Sequence, residues 1–102
     1  MERTWKNILP EEVEKLVGNP NYEFIDVRSV GEYMSGHIKG TKLISLDQLD
    51  LRYSEIDKSK EVIVICQAGG RSAMACDYLQ SRGFEKLLNM AGGMGYWEGE
   101  VE

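Results

Sequence analysis

The sequence predicts an α/β fold, a parallel sheet covered by helices on both faces, on three observations. Val62-Ile63-Val64-Ile65 is an uninterrupted apolar, β-branched run, the pattern of a strand buried on both sides. Behind it, Ala73, Met74, Ala75, Tyr78 and Leu79 recur at helical spacing, with Gly83 in the place of a C-terminal cap. The remaining strand candidates are separated by helical segments of roughly ten residues, the length a right-handed crossover between parallel strands requires.

Each element has its own justification. Trp5 to Leu9 is a short mixed run suited to an edge strand. Pro10 fits the first turn of a helix, where its missing N–H costs nothing, and Glu11, Glu12 and Glu14 place negative charge at the helix's positive end. Leu9, Val13, Leu16 and Val17 share its apolar face, and Gly18-Asn19-Pro20-Asn21 ends it. Tyr22 to Val27 reads as a central strand that delivers Asp26 and Arg28 to its C-terminal edge, where open parallel sheets bind ligands. Ser29 or its neighbour can cap a short helix through Glu32, Tyr33 and Met34, ended by Ser35-Gly36. Lys42 to Ser45 is a second short strand. Leu46, Leu49, Tyr53 and Ile56 then have rough helical spacing, with Ser45 as cap. Leu87-Leu88 is the last strand, and Ala91 to Trp97 turns into a final helical turn.

Composition bounds the function. At 102 residues the chain is read as one domain, residues 1–102, with 42% apolar and 28% charged residues. A net charge of −5 opposes general binding to nucleic acid or to anionic membranes. The N-terminal stretch has no apolar run behind a basic head, so a cytoplasmic location is expected. Cys66 and Cys76 make neither a disulfide framework nor a paired zinc spacing, and Cys76 reads as a core residue.

The chemistry concentrates in Cys66-Gln67-Ala68-Gly69-Gly70-Arg71-Ser72, between the buried strand and the helix that follows. A cysteine there lies among backbone N–H groups without intrahelical partners, and these favour the thiolate. Gly69 and Gly70 let the backbone curl through positive φ so that several N–H groups converge. The plainer alternative, a buried cysteine before a Gly-Gly turn, loses ground because Arg71 and Ser72 follow at once.

Three blocks in this order make the chain resemble a single-domain rhodanese, a sulfurtransferase module, from about Leu9 to Trp97. They are Asp26-Val27-Arg28 with Glu32-Tyr33 and Gly36-His37-Ile38-Lys39-Gly40; the Cys66–Ser72 loop; and Gly92-Gly93-Met94 followed by Trp97. The resemblance implies a rhodanese-like, mostly parallel five-stranded sheet with Cys66 as sulfur acceptor after the fourth strand. It further implies transfer of a sulfane sulfur from a donor such as thiosulfate, through a Cys66 persulfide, to cyanide, a thiol or a partner protein. No cofactor or metal is needed, because sulfur itself holds the covalent intermediate. A cysteine desulfurase or another sulfur-relay protein is the alternative partner, which would make the chain a relay carrier. The remaining rivals are a regulatory module of the same family and a Cdc25-like phosphatase or arsenate reductase. The four residues from Gln67 to Gly70 between Cys66 and Arg71 make a ring shorter than the five-residue spacing of those phosphatases, which favours sulfur.

Individual roles follow. The N–H groups from Gln67 to Ser72 are expected to hold the thiolate and the persulfide. Arg71 is the candidate for steering an anionic donor, against a salt bridge to Asp77 or Glu98. Ser72 is expected to cap the helix. Asp26 and Arg28 are read first as a lock between loops, and His37 as part of a structural turn paired with Glu32. Met94, Tyr96 and Trp97 are read as core or pocket wall.

Overall fold

In the computed structural model, which describes residues 2–102, five strands form one sheet. These are β1 (Lys6–Ile8), β2 (Tyr22–Asp26), β3 (Lys42–Leu43), β4 (Glu61–Ile65) and β5 (Leu87–Met90). Their spatial order is β1-β5-β4-β2-β3, and every pairing is parallel. The chain therefore starts at one edge, enters the middle at β2 and winds outward in both directions. The strand carrying the cysteine lies at the centre, between β2 and β5.

The period of two along each strand divides the core. Val62, Val64 and Cys66 of the β4 segment, with Ile25, Val27 and Leu87, face one side, where α4 (Gly70–Ser81) supplies Ala75, Cys76 and Leu79. Ile63 and Ile65, with Phe24 and Met90, face the other, where α1 (Pro10–Leu16) supplies Val13 and Leu16. Both faces of β4 are covered, which explains its continuous apolar run. Among the described residues, no helix is long and apolar enough to cross a membrane.

Two expectations change. The segment after β3 is not one helix but a 3-10 turn (Leu46–Gln48), a single α-turn α3 (Leu49–Arg52) and a second 3-10 turn (Tyr53–Glu55), and the Ser45 side chain makes no cap bond. Its apolar residues Leu49 and Ile56 seal the α4 side of the core while the backbone tightens around them. The last strand also runs beyond Leu87-Leu88 to include Asn89 and Met90, and Asn89 is buried there.

At the C-terminal end of β2 a buried ion pair joins separate loops. The Arg28 Nε and Nη2 donate to the Asp26 carboxylate at 2.9–3.1 Å, Nη2 also donates to the Gly36 carbonyl at 2.8 Å, and Nη1 reaches Gln67 Oε1 at 3.3 Å. Asp26 is 0% and Arg28 3% exposed. Removing one member would leave a buried charge without its partner. Arg28→Ala should therefore lower unfolding stability by about 3–5 kcal/mol, seen as a lower urea midpoint at unchanged slope. An unchanged midpoint would show that the pair locks nothing.

Candidate active site

Cys66 directly follows β4 and, in phase with Val62 and Val64, aims its side chain toward α4. It is 1% exposed. The loop that follows curls back over it: Gly69, at φ 99°, occupies the N-cap of α4 and donates its N–H to Cys66 Sγ at 2.9 Å. A side chain at that φ would be strained, and its Cβ would stand 3.3 Å from the Gly92 nitrogen. Gly70 has no positive φ and begins the helix, so the expectation of two curled glycines reduces to one.

A second turn holds the loop in this shape. Met94 donates its N–H to the Cys66 carbonyl at 2.8 Å, and Gly95 to the Gln67 carbonyl at 3.0 Å. In a planar trans peptide the N–H points opposite to the carbonyl, so gripping these two oxygens turns the N–H groups of Gln67 and Ala68 the other way, and that of Ala68 is among those that act on the sulfur. The approach is possible only because Gly93, at φ 64°, lacks a Cβ, which would collide with the Cys66 carbonyl oxygen and lie 2.6 Å from the Gln67 carbonyl carbon.

Ser72 Oγ lies 3.2 Å from Cys66 Sγ and 3.1 Å from the Gly69 carbonyl oxygen, and it bonds Asn89 Oδ1. The expected helix cap is not formed: the N-cap is Gly69, with no side-chain bond. Ser72 sits one turn too far along and faces inward, so its hydroxyl serves the sulfur. Asn89 was missed as a site residue. Its Nδ2 donates to Asn7 Oδ1 at 3.1 Å, which turns its Oδ1 toward Ser72. The available signal was an amide inside an apolar strand, since a buried amide needs partners.

Electrostatics at the sulfur follow from this geometry. Burial pushes the Cys66 thiol up, but the Ser72 hydroxyl and the N–H groups of Ser72, Gly69 and Ala68 more than offset it, so the thiol ionises below its ordinary value. Cys76, on the same side of the sheet, has burial without donors and is pushed up to about 12.

Arg71 does not point at the sulfur, and neither Asp77 nor Glu98 is its partner. Its Nη1 and Nη2 donate to the two carboxylate oxygens of Glu32, each at 2.7 Å. Glu32 belongs to α2 (Val30–Met34), where it completes a capping box with Ser29: the Ser29 N–H and Oγ–H both donate to Glu32 Oε1 at 3.0 Å. His37 does not pair with Glu32, whose carboxylate is already filled. Its Nδ1 lies 3.0 Å from the Tyr33 carbonyl, its ring stacks on Tyr33 at 3.7 Å, and its Nε2 lies 3.4 Å from a Glu102 carboxylate oxygen. Met94 and Trp97 pack against the α1-side core, whereas Tyr96 is exposed. Thus the fold brings Cys66, Gln67, Ala68, Gly69, Ser72 and Asn89 together. Asp26, Arg28, Glu32, Arg71 and His37 form the frame around them.

Two outcomes test this geometry. Ser72→Ala removes one donor to the sulfur, so the midpoint of Cys66 alkylation against pH should rise, and an unmoved midpoint would show that the hydroxyl serves only Asn89 and Gly69. The Arg71 hydrogen bonds, foremost, hold the Glu32 carboxyl down to about 2, from 4.5. A depressed acid contributes stability above its unfolded pKa and loses it as pH falls through its folded one. The stability difference between the protein and Glu32→Gln should therefore be full above pH 4.5 and shrink as pH falls toward 2; a constant difference would refute the shift.

Comparison with known proteins concerns the whole chain. The family model of the rhodanese-like domain matches residues 9–100. A Bacillus subtilis protein provisionally named sulfur carrier protein YrkF is 34% identical over 89 residues, covering 87% of this chain and 48% of its own, so the chain spans about half of that relative. An Allochromatium vinosum protein named sulfurtransferase is 31% identical over 84 residues, covering 82% and 78%. The crystal structure of a rhodanese-like domain protein from Staphylococcus aureus superposes with a TM-score of 0.85 at 31% identity, covering 95% and 96%. With a family match over nearly the whole length, a matching parallel sheet and a cysteine loop at the end of its central strand, this chain belongs to the rhodanese-like family.

Proposed function

We propose that the protein is a sulfurtransferase that carries a sulfane sulfur as a persulfide on Cys66. The observation that carries this reading is the seat of the Cys66 sulfur, with donors from Gly69, Ala68 and Ser72 converging on it. Relatives named for sulfur transfer and sulfur carriage support it.

In the first step the Cys66 thiolate attacks the outer sulfur of a donor. With thiosulfate the S–S bond breaks, sulfite leaves with the electron pair, and Cys66–S–S⁻ remains. In the second step a nucleophile takes the terminal sulfur: cyanide leaves as thiocyanate, or a thiolate leaves as a persulfide, and the Cys66 thiolate is restored. Both steps move one sulfur atom and consume no external oxidant or reductant. Cys66 is the nucleophile and the sulfur carrier. The N–H groups of the loop and the Ser72 hydroxyl are aimed at Cys66 Sγ, where negative charge sits in the thiolate. The donors around the sulfur favour the attacking thiolate, and no residue is assigned as general base. A small-molecule donor such as thiosulfate, or a desulfurase or other sulfur-relay protein, is the source of sulfur in this reading.

Phosphate chemistry is disfavoured by the same geometry. A cysteine phosphatase needs a guanidinium over the sulfur to hold a tetrahedral oxyanion, and here both Arg71 Nη groups face Glu32.

Intact-mass analysis after exposure to thiosulfate, and separately to an alkyl persulfide, should show a gain of one sulfur atom that cyanide removes. Cys66→Ala should gain nothing. Retention of the gain in that variant, or no gain by the unaltered protein from either donor, would sink the assignment.

A further inference from the structure

The Arg71 guanidinium is carried by the cysteine loop itself, and its use by Glu32 bears on which donor the site accepts. Glu32 Oε1 and Oε2 each take one Arg71 N–H at 2.7 Å, while Oε1 also takes the Ser29 N–H and hydroxyl at 3.0 Å. The carboxylate thus cannot swing away from Arg71 without also uncapping α2. The pair stands between two open grooves at the C-terminal end of the sheet: one of about 410 Å³ lined by Arg71, Ser29 and Leu46, the other of about 500 Å³ lined by Glu32, Gln67 and Met94. Arg28, the other cation in both grooves, is spent on Asp26.

An oxyanion entering by either groove therefore meets neutralised pairs on a chain of net charge −5. It would have to displace a carboxylate that is already bidentate and covalently held in place. A sulfur atom borne on an uncharged alkyl group faces neither cost.

We propose that Glu32 is a specificity-determining residue, which by occupying the Arg71 fork biases Cys66 toward sulfur carried on a thiol and away from sulfur carried on a sulfonate. This rests on the persulfide reading above. The favoured step is attack of the Cys66 thiolate on the outer sulfur of R–S–SH: a new S–S bond forms to Cys66, the donor's own S–S bond breaks, and RS⁻ leaves with the electron pair. The proton stays on the transferred sulfur.

The experiment compares second-order rate constants for Cys66 persulfide formation from thiosulfate and from 2-hydroxyethyl persulfide. Glu32→Gln keeps an oxygen for the Ser29 N–H but removes the charge that holds Arg71. The thiosulfate-to-alkyl ratio should rise by about tenfold, as expected for one charge-assisted contact regained by the donor, with the gain in KM for thiosulfate. In Glu32→Gln with Arg71→Gln the ratio should return to its original value. Glu32→Ala, which gives up the capping box as well, should raise the ratio in the same way. Sulfur gain from the alkyl donor confirms that each variant is folded. An unchanged ratio in both Glu32 variants, or a raised ratio that survives loss of Arg71, overturns the proposal. Failure of the unaltered protein to take sulfur from either donor is a separate outcome, which overturns the underlying persulfide reading and this proposal with it.

Discussion

The grip of the Met94 and Gly95 N–H groups on the carbonyls of Cys66 and Gln67 is the constraint on which the site depends. It joins the 3-10 turn that follows β5 to the loop that follows β4. Without it, the loop carbonyls would be free to turn inward, and a carbonyl dipole facing a thiolate destabilises it. Glycine at position 93 is what the grip requires, since any Cβ there would overlap the backbone being gripped. The Gly92-Gly93 pair in the sequence thus shapes the cysteine loop, although it lies more than twenty residues from the cysteine.

Two ion pairs surround the loop and do different work. Asp26–Arg28 is fully buried, and its remaining donors are spent on the Gly36 carbonyl and on Gln67, so it ties the β2 end, the turn after α2 and the cysteine loop into one unit. Buried pairs of this kind are costly to break and weakly stabilising as a whole, which suits a positional role. Glu32–Arg71 is partly exposed, with side-chain exposures of 31% and 38%. Its effect on stability is accordingly modest. What it does set is the charge beside the loop, because both Nη groups of Arg71 are already hydrogen-bonded to the Glu32 carboxylate.

Much of this was legible in the sequence, and the rest was hidden for identifiable reasons. The apolar run at 62–65, the helical periodicity behind it and the three motif blocks located the sheet, the loop and Cys66, because each depends on local pattern. The break of the 46–56 segment into three short turns was not legible, since its apolar spacing is compatible with a helix and only packing against the sheet decides. Arg71's partner lies 39 residues away in the chain, and no local rule chooses Glu32 over nearer acids. Ser72 looked like a cap because its type and position suit one. The sheet then placed Asn89 and Cys66 on its inward side, and tertiary partners displaced the local role.

The two cysteines of this chain show why the surroundings, and not burial, make the nucleophile. Both are buried on the α4 side of the sheet, and for both desolvation opposes the thiolate. Cys76 lies within α4, where each backbone N–H is committed to a carbonyl one turn back, so nothing is left to face its sulfur. Cys66 precedes the helix, where the first N–H groups have no such partner. The difference between a thiol whose pKa is raised and one whose pKa is lowered is thus a difference of position relative to a helix start. His37 stands outside this arrangement: its Nδ1 faces the Tyr33 carbonyl, its ring stacks on Tyr33 and its Nε2 faces Glu102, so no ring nitrogen is turned to the sulfur.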